Sequence, residues 1–92
     1  MRILIADDDP HSLRLLRLLL LKEGYEVLTA NNGREALAAL SRPDSPRLVV
    51  LDWMMPDIDG VAVCKELRAG ETEQDYRYIV LLTAKSEIDD LV

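Results

Sequence analysis

The chain has 92 residues, a length that fits one domain with a thin core. Its hydrophobic fraction of 49% and charged fraction of 30% are ordinary for a globular protein and argue against disorder over most of the length. The formal net charge of −6, with scattered basic residues, argues against direct binding to nucleic acid or to an anionic membrane surface. The one cysteine excludes an internal disulfide. Because neither a signal-peptide pattern nor a membrane-spanning apolar run is present, we expect a cytoplasmic protein.

Apolar runs and helix-start signals alternate along the chain. Four short apolar runs are typical of strands, and they lie at residues 3–6, 25–30, 48–51 and 79–82. Three helices are predicted between them: residues 10–23, a helix opened by the capping-box pattern at 32–35, and one from residue 60 to the polar loop at 70–76. Asp9 is a suitable N-cap for the first helix and Gly24 a suitable stop, while Ser86 predicts the start of a fourth helix.

The strict alternation of strands and helices predicts the fold class and the place of a site. Short loops between the elements favour right-handed βαβ units, and therefore an α/β fold with a parallel sheet. In such sheets ligands bind beyond the carboxyl ends of the strands. Polar residues follow three of the strands there: Asp7 and Asp8, then Asp52, then Thr83. If the first and third strands are neighbours, their carboxylates meet in one small pocket.

Carboxylates that share a pocket repel one another, so the site either takes up protons or holds a cation. Oxygen ligands with open coordination positions suit Mg²⁺. A metal ion would also reduce the repulsion between a carboxylate nucleophile and an incoming phosphoryl group, which allows an Asp to form an aspartyl phosphate. The pattern therefore favours Mg²⁺-assisted phosphoryl transfer to an aspartate.

Three segments of the chain resemble a known family. Residues 3–10 (ILIADDDP), 51–60 (LDWMMPDIDG) and 81–85 (LLTAK) look like the three successive motifs of the receiver domains of two-component response regulators, of the chemotaxis-receiver type. The match runs in order through the chain, so residues 1–92 are interpreted as one receiver domain, incomplete at its C-terminus. The resemblance implies a doubly wound, flavodoxin-like three-layer α/β/α fold with strand order 2-1-3-4, the family's fifth strand and fifth helix being absent from this chain.

The resemblance also implies a role for each residue of the site. Asp52 would accept the phosphoryl group. The implied cofactor is Mg²⁺, and its ligands would be Asp8, Asp52 and the backbone carbonyl of Met54. Asp7 would position the ion through water.

The resemblance further implies a phosphorylation switch rather than an enzyme. Thr83 would hydrogen-bond the phosphoryl group and move with it, assisted by the backbone N–H of Ala84. The implied donor is a phosphohistidine on a sensor histidine kinase or phosphotransfer protein, and an output domain or effector is a further implied partner. The family's phosphate-pairing Lys lies on the fifth strand, so Lys85 is not that residue. If the chain ends at Val92, residues 79–82 form an apolar sheet edge and we expect an oligomer.

Two other functions fit parts of the sequence. The Asp-x-Asp at residues 7–9 after an apolar strand also matches the nucleophile motif of haloacid-dehalogenase-like phosphatases, in which Asp7 would be phosphorylated. Against this, Pro10 stands where Thr or Val is expected, and the length leaves no room for a cap domain. The other alternative is a protein-binding module with the receiver fold that works without phosphorylation. Formation of an acyl phosphate on Asp52 would distinguish a working receiver from such a module.

Overall fold

The computed structural model of the chain describes residues 1–70 and 76–82. Within them the elements in chain order are β1 (Arg2–Ala6), α1 (Pro10–Lys22), β2 (Glu26–Ala30), α2 (Gly33–Leu40), β3 (Leu48–Asp52), α3 (Gly60–Ala69) and β4 (Tyr78–Leu82). The predicted strands are confirmed, each with one residue of difference at one end. The helix predicted from Ser86 lies outside the described residues. None of the described helices combines the length and the apolarity needed to cross a membrane.

The described strands form one parallel sheet in the order β2-β1-β3-β4. This order confirms the predicted doubly wound α/β fold. Strands β1 and β3 are direct neighbours, and Ala6 pairs in register with Leu51. The residues that follow these two strands therefore emerge side by side at the carboxyl edge of the sheet.

Helices cover both faces of the sheet and give the predicted three layers. On one face Leu4, Val49 and Leu51 are buried against α2 and α3. On the other face Ile3 and Ile5 are buried against Leu13 of α1. Consecutive residues of β1 thus point into two different cores, which explains why its sequence is apolar without alternation.

The three described helices begin at the edge of the sheet where the polar residues lie, because each helix follows a strand. Their N-caps are Asp9, Asn32 and Asp59. The capping box predicted for α2 is only half formed. The Asn32 side chain accepts from the backbone N–H of Glu35 at 2.8 Å, but the Glu35 carboxylate accepts from the N–H of Asn31, at 3.0 Å, instead of from Asn32.

Strand β4 is the outer strand of the described sheet on the side of β3. Its side chains on one face are exposed, and these are Tyr78, Val80 and Leu82. Several leucines of α1 are exposed as well: Leu15, Leu18, Leu19 and Leu21. The oligomer expected from an apolar edge at residues 79–82 stays a prediction.

Candidate functional site

Three carboxylates converge at the carboxyl edge of the sheet. Asp7 and Asp8 directly follow β1, and Asp52 is the last residue of β3. One carboxylate oxygen from each lies within 4.8 Å of the others. Asp7 and Asp52 are half-buried and Asp8 is exposed. The structure thus brings together the acidic residues that the sequence predicted to meet, and the reason is the direct pairing of β1 with β3.

The electrostatics of this cluster centre on Asp52. Burial of its carboxyl group, then the negative charge of Asp7 and a hydrogen bond with the Asp7 carboxyl, raise the pKa of Asp52 to about 6. Asp8 adds a smaller contribution of the same sign, and a hydrogen bond from the backbone N–H of Met54 opposes them. A proton or a cation in the cluster would relieve this repulsion.

The donor set fits a hard divalent cation. Among the described residues, no lysine or arginine forms an ion pair with Asp7, Asp8 or Asp52. The backbone N–H of Asp9 donates to one Asp7 oxygen at 2.9 Å, which fixes the orientation of that carboxylate. Because Asp8 is exposed, water can occupy further coordination positions, as Mg²⁺ prefers.

The loop of residues 53–59, which joins β3 to α3, borders the cluster. The backbone N–H of Trp53 donates to the carbonyl of Leu82 at 2.9 Å, and the Trp53 carbonyl accepts from the N–H of Gly60 at 3.0 Å. Met55 is buried in the core, whereas the side chains of Trp53 and Met54 are exposed. The Met54 backbone lies beside the Asp52 carboxylate, to which its N–H donates. This loop therefore sets the surroundings of Asp52.

Close packing at Gly60 holds this loop against β3. A Cβ atom at that position would lie 2.5 Å from the carbonyl oxygen of Asp52 and 3.0 Å from Cδ2 of Leu81. No such side chain fits, so a residue other than glycine would displace either the first turn of α3 or the end of β3. The glycine that ends the motif at residues 51–60 is thus explained by the close approach of α3 to Asp52, the residue that precedes the loop.

Two of the predicted site residues, Thr83 and Ala84, lie outside the described residues. The strand that leads to them ends at Leu82, which pairs in register with Asp52. The roles predicted for Thr83 and Ala84 stay predictions.

Sequence reasoning missed an ion pair beside the site. The guanidinium of Arg34, in the first turn of α2, forms an ion pair with the carboxylate of Asp57 in the β3–α3 loop. Asp57 has a φ of 71°, in the left-handed region. Residues 55–60 (MPDIDG) signal a turn, but nothing local to Arg34 indicates its distant partner.

The fold and the acidic cluster define a receiver-type α/β domain of the flavodoxin-like class, and comparison with known proteins places it in a family. The family model described as the response regulator receiver domain matches residues 3–92. The chain therefore belongs to the response regulator receiver domain family, whose members are signalling domains of two-component systems.

Relatives of the chain are named as regulators. It is 47% identical over 91 residues to the probable transcriptional regulator ycf27 of Porphyra purpurea, with 99% of this chain and 35% of that protein covered. It is 42% identical over 92 residues to the alkaline phosphatase synthesis transcriptional regulatory protein PhoP of Bacillus subtilis, with 99% and 36% covered. The chain thus spans about a third of the length of these curated relatives.

A solved structure with the same fold is the response regulator protein TrrA from Thermotoga maritima, in complex with Mg²⁺-BeF. The similarity has a TM-score of 0.80 and 42% sequence identity, and it covers 98% of this chain and 76% of that chain. This similarity supports the predicted fold throughout the described residues.

Proposed function

We propose that this domain accepts a phosphoryl group on Asp52 from a phosphohistidine of a sensor histidine kinase or phosphotransfer protein. Mg²⁺ would be bound by Asp8, Asp52 and the backbone carbonyl of Met54, with Asp7 positioning it through water. The observation that carries the proposal is the convergence of the Asp7, Asp8 and Asp52 carboxylates within 4.8 Å at the carboxyl edge of the sheet. In this proposal residues 1–92 belong to one receiver domain.

The surroundings of Asp52 suit its proposed role as the nucleophile. With a pKa of about 6, the carboxylate is mostly ionised at neutral pH and can attack the phosphorus atom. The O–P bond to Asp52 forms as the P–N bond of the phosphohistidine breaks, and the donor imidazole leaves. The Met54 N–H orients the Asp52 carboxylate, and the Asp9 N–H orients that of Asp7. Bound Mg²⁺ would supply positive charge that reduces repulsion between the nucleophile and the phosphoryl group.

We further propose that phosphorylation switches the conformation of the domain. The hydroxyl of Thr83 and the backbone N–H of Ala84 would bind the phosphoryl oxygens, and the change would be transmitted to an output domain or effector. Hydrolysis of the acyl phosphate would be slow, so the domain is a signalling element rather than an enzyme. Because the relatives are named as transcriptional regulators, the output proposed for the parent protein is control of transcription. The proposed location is the cytoplasm.

The phosphoacceptor is tested by mass spectrometry of the full chain after incubation with a small-molecule phosphoramidate and Mg²⁺. We expect a single base-labile phosphate on Asp52 and none in Asp52→Asn. Asp44→Asn is a matched control, because Asp44 is an exposed carboxylate in the α2–β3 loop at the opposite edge of the sheet. A phosphate on Asp7 would instead support a phosphatase, and a chain that is never labelled would support a phosphorylation-independent module.

The switch is tested separately with Thr83→Ala. This variant should keep most of the labelling, because the nucleophile is untouched, while the change in amide exchange at residues 84–88 on phosphorylation should be lost. Equal exchange responses in the variant and the unmodified sequence would contradict the role of Thr83.

A further inference from the structure

The first turn of α2 contacts the β3–α3 loop at two consecutive residues. Gly33 is buried, and a Cβ atom there would collide with the carbonyl oxygen of Ile58. Arg34 forms its ion pair with Asp57 through Nε, and its Nη2 donates to the second carboxylate oxygen of Asp57 at 3.4 Å. The hydrogen bond and charge of the guanidinium lower the pKa of Asp57, as expected for a paired carboxylate. The start of α2 therefore packs against the loop and also binds it.

The segment of the loop that Arg34 binds has an unfavourable backbone conformation. Asp57 has a φ of 71°, and the N–H of Ile58 donates to the carbonyl of Pro56 at 2.9 Å, across Asp57. A three-residue turn of this kind, with a positive φ at its central residue, is rare, and it is strained for residues other than glycine. Such a conformation persists only where surrounding contacts stabilise it. The ion pair with Arg34 and the packing at Gly33 are contacts of this kind.

The same loop borders the acidic cluster. From Asp57 the chain runs back to Met54, whose backbone contacts the Asp52 carboxylate, and forward to Gly60, whose N–H bonds to the Trp53 carbonyl. The loop is short, so opening of the turn at Asp57 would be transmitted to Met54 and Trp53. Within residues 1–70 and 76–82 the Arg34 side chain bonds to Asp57 and not to the carboxylate cluster, so its effect on the cluster would pass through the loop.

We propose that Arg34 is a positioning residue for the metal site: by binding Asp57 it keeps the β3–α3 loop in the conformation that places the Met54 backbone at the acidic cluster. The inference rests on the proposed function, in which the Met54 carbonyl is a ligand of Mg²⁺. Preorganised ligands bind a metal more tightly because less conformational freedom is lost on binding. Loss of the ion pair should therefore weaken Mg²⁺ binding.

The sign of this effect separates the proposal from simple electrostatics. Arg34→Gln removes a positive charge from the neighbourhood of a cation site, which by Coulomb's law alone should strengthen Mg²⁺ binding. Positioning by Arg34 predicts the opposite result. Because the pair is exposed, with side-chain exposures of 68% and 56%, we expect a loss of affinity of roughly twofold to fivefold.

The experiment is a Mg²⁺ titration of the full chain, followed by the fluorescence of Trp53, which is exposed and adjacent to Asp52. Arg42→Gln is the matched control: Arg42 pairs with Asp44 at 3.9 Å, the two side chains are 75% and 74% exposed, and both lie at the opposite edge of the sheet. This control should leave the affinity unchanged. In an Asp57→Gly background Arg34→Gln should no longer weaken Mg²⁺ binding, because the carboxylate that Arg34 binds is gone and glycine adopts a positive φ without strain.

A second measurement tests the positioning role of Arg34 without Mg²⁺, and therefore independently of the proposed metal site. Amide exchange of Ile58 and Gly60 in the metal-free chain should be faster in Arg34→Gln than in the unmodified sequence, because both amides donate hydrogen bonds within the loop. Mg²⁺ affinity that is equal or higher in Arg34→Gln would overturn the positioning role. Unchanged exchange would overturn it as well, whatever the metal result. If the unmodified chain bound no Mg²⁺, the metal site itself would be wrong, and the role of Arg34 in positioning it would fall with it.

Discussion

Gly60 begins α3 directly against the end of β3, and replacing it with alanine tests how closely the two elements must approach. The added Cβ would lie 2.5 Å from the Asp52 carbonyl oxygen, about 0.9 Å short of the 3.4 Å at which ordinary contact begins. The obstacle is a backbone atom in a strand that pairs with neighbours on both sides, so it moves little. Overpacking of this kind costs about 1–3 kcal/mol.

One smaller effect opposes this cost and decides the net free-energy change for Gly60→Ala. Alanine is favoured over glycine in a helix interior by up to about 1 kcal/mol, and less at the first helical residue. The expected result is a decrease in the free energy of unfolding of about 1–2 kcal/mol. Any shift of the Asp52 backbone would also move the carboxylate, so the labelling of Asp52 should become several-fold slower even in the folded fraction.

The assay is urea unfolding of the full chain, combined with the rate of phosphate incorporation. Gly70→Ala is the matched control, because Gly70 caps the other end of α3 with a φ of −102°, and no atom of the described residues lies within 4 Å of a Cβ there. It should be neutral or slightly stabilising. If the free energy of unfolding of Gly60→Ala lay within about 0.5 kcal/mol of that of the unmodified sequence, and labelling was equally fast, the contact between α3 and the end of β3 would not be close enough to exclude a Cβ atom.

Three further predictions concern the acidic cluster. Asp8→Ala should weaken Mg²⁺ binding at least tenfold in the Trp53 fluorescence titration, and an unchanged affinity would remove Asp8 from the ligand set. Affinity for Mg²⁺ should decrease as the pH falls through about 6, where Asp52 takes up a proton, and a flat profile from pH 7 to 5 would contradict the raised pKa. The folded state binds this proton more tightly than the unfolded state, with its ordinary pKa of 3.8, so stability should be lost as pH rises from 4 to 6. Asp52→Asn should therefore stabilise the metal-free chain at pH 7, as measured by thermal melting.

Much of the fold follows from local sequence signals. Pro10 after Asp9 and the left-handed Gly24, with a φ of 95°, place the two ends of α1, because capping and φ preferences depend on only a few adjacent residues. The alternation of strands and helices, joined by short loops, is also read from the sequence, and it predicts a parallel sheet. The order 2-1-3-4 came from resemblance to the family, since periodicity does not specify which strands pair.

The tertiary structure decided what depends on distance through space. Pairing of β1 with β3 is what brings Asp8 to Asp52, and burial together with the charge of Asp7 is what raises the pKa of Asp52. The ion pair of Arg34 joins residues 23 positions apart, and no local preference of either residue indicates it. Capping hydrogen bonds and backbone preferences act within a few residues and can be predicted from the sequence. Electrostatic and packing interactions depend on neighbours that only the folded chain brings together.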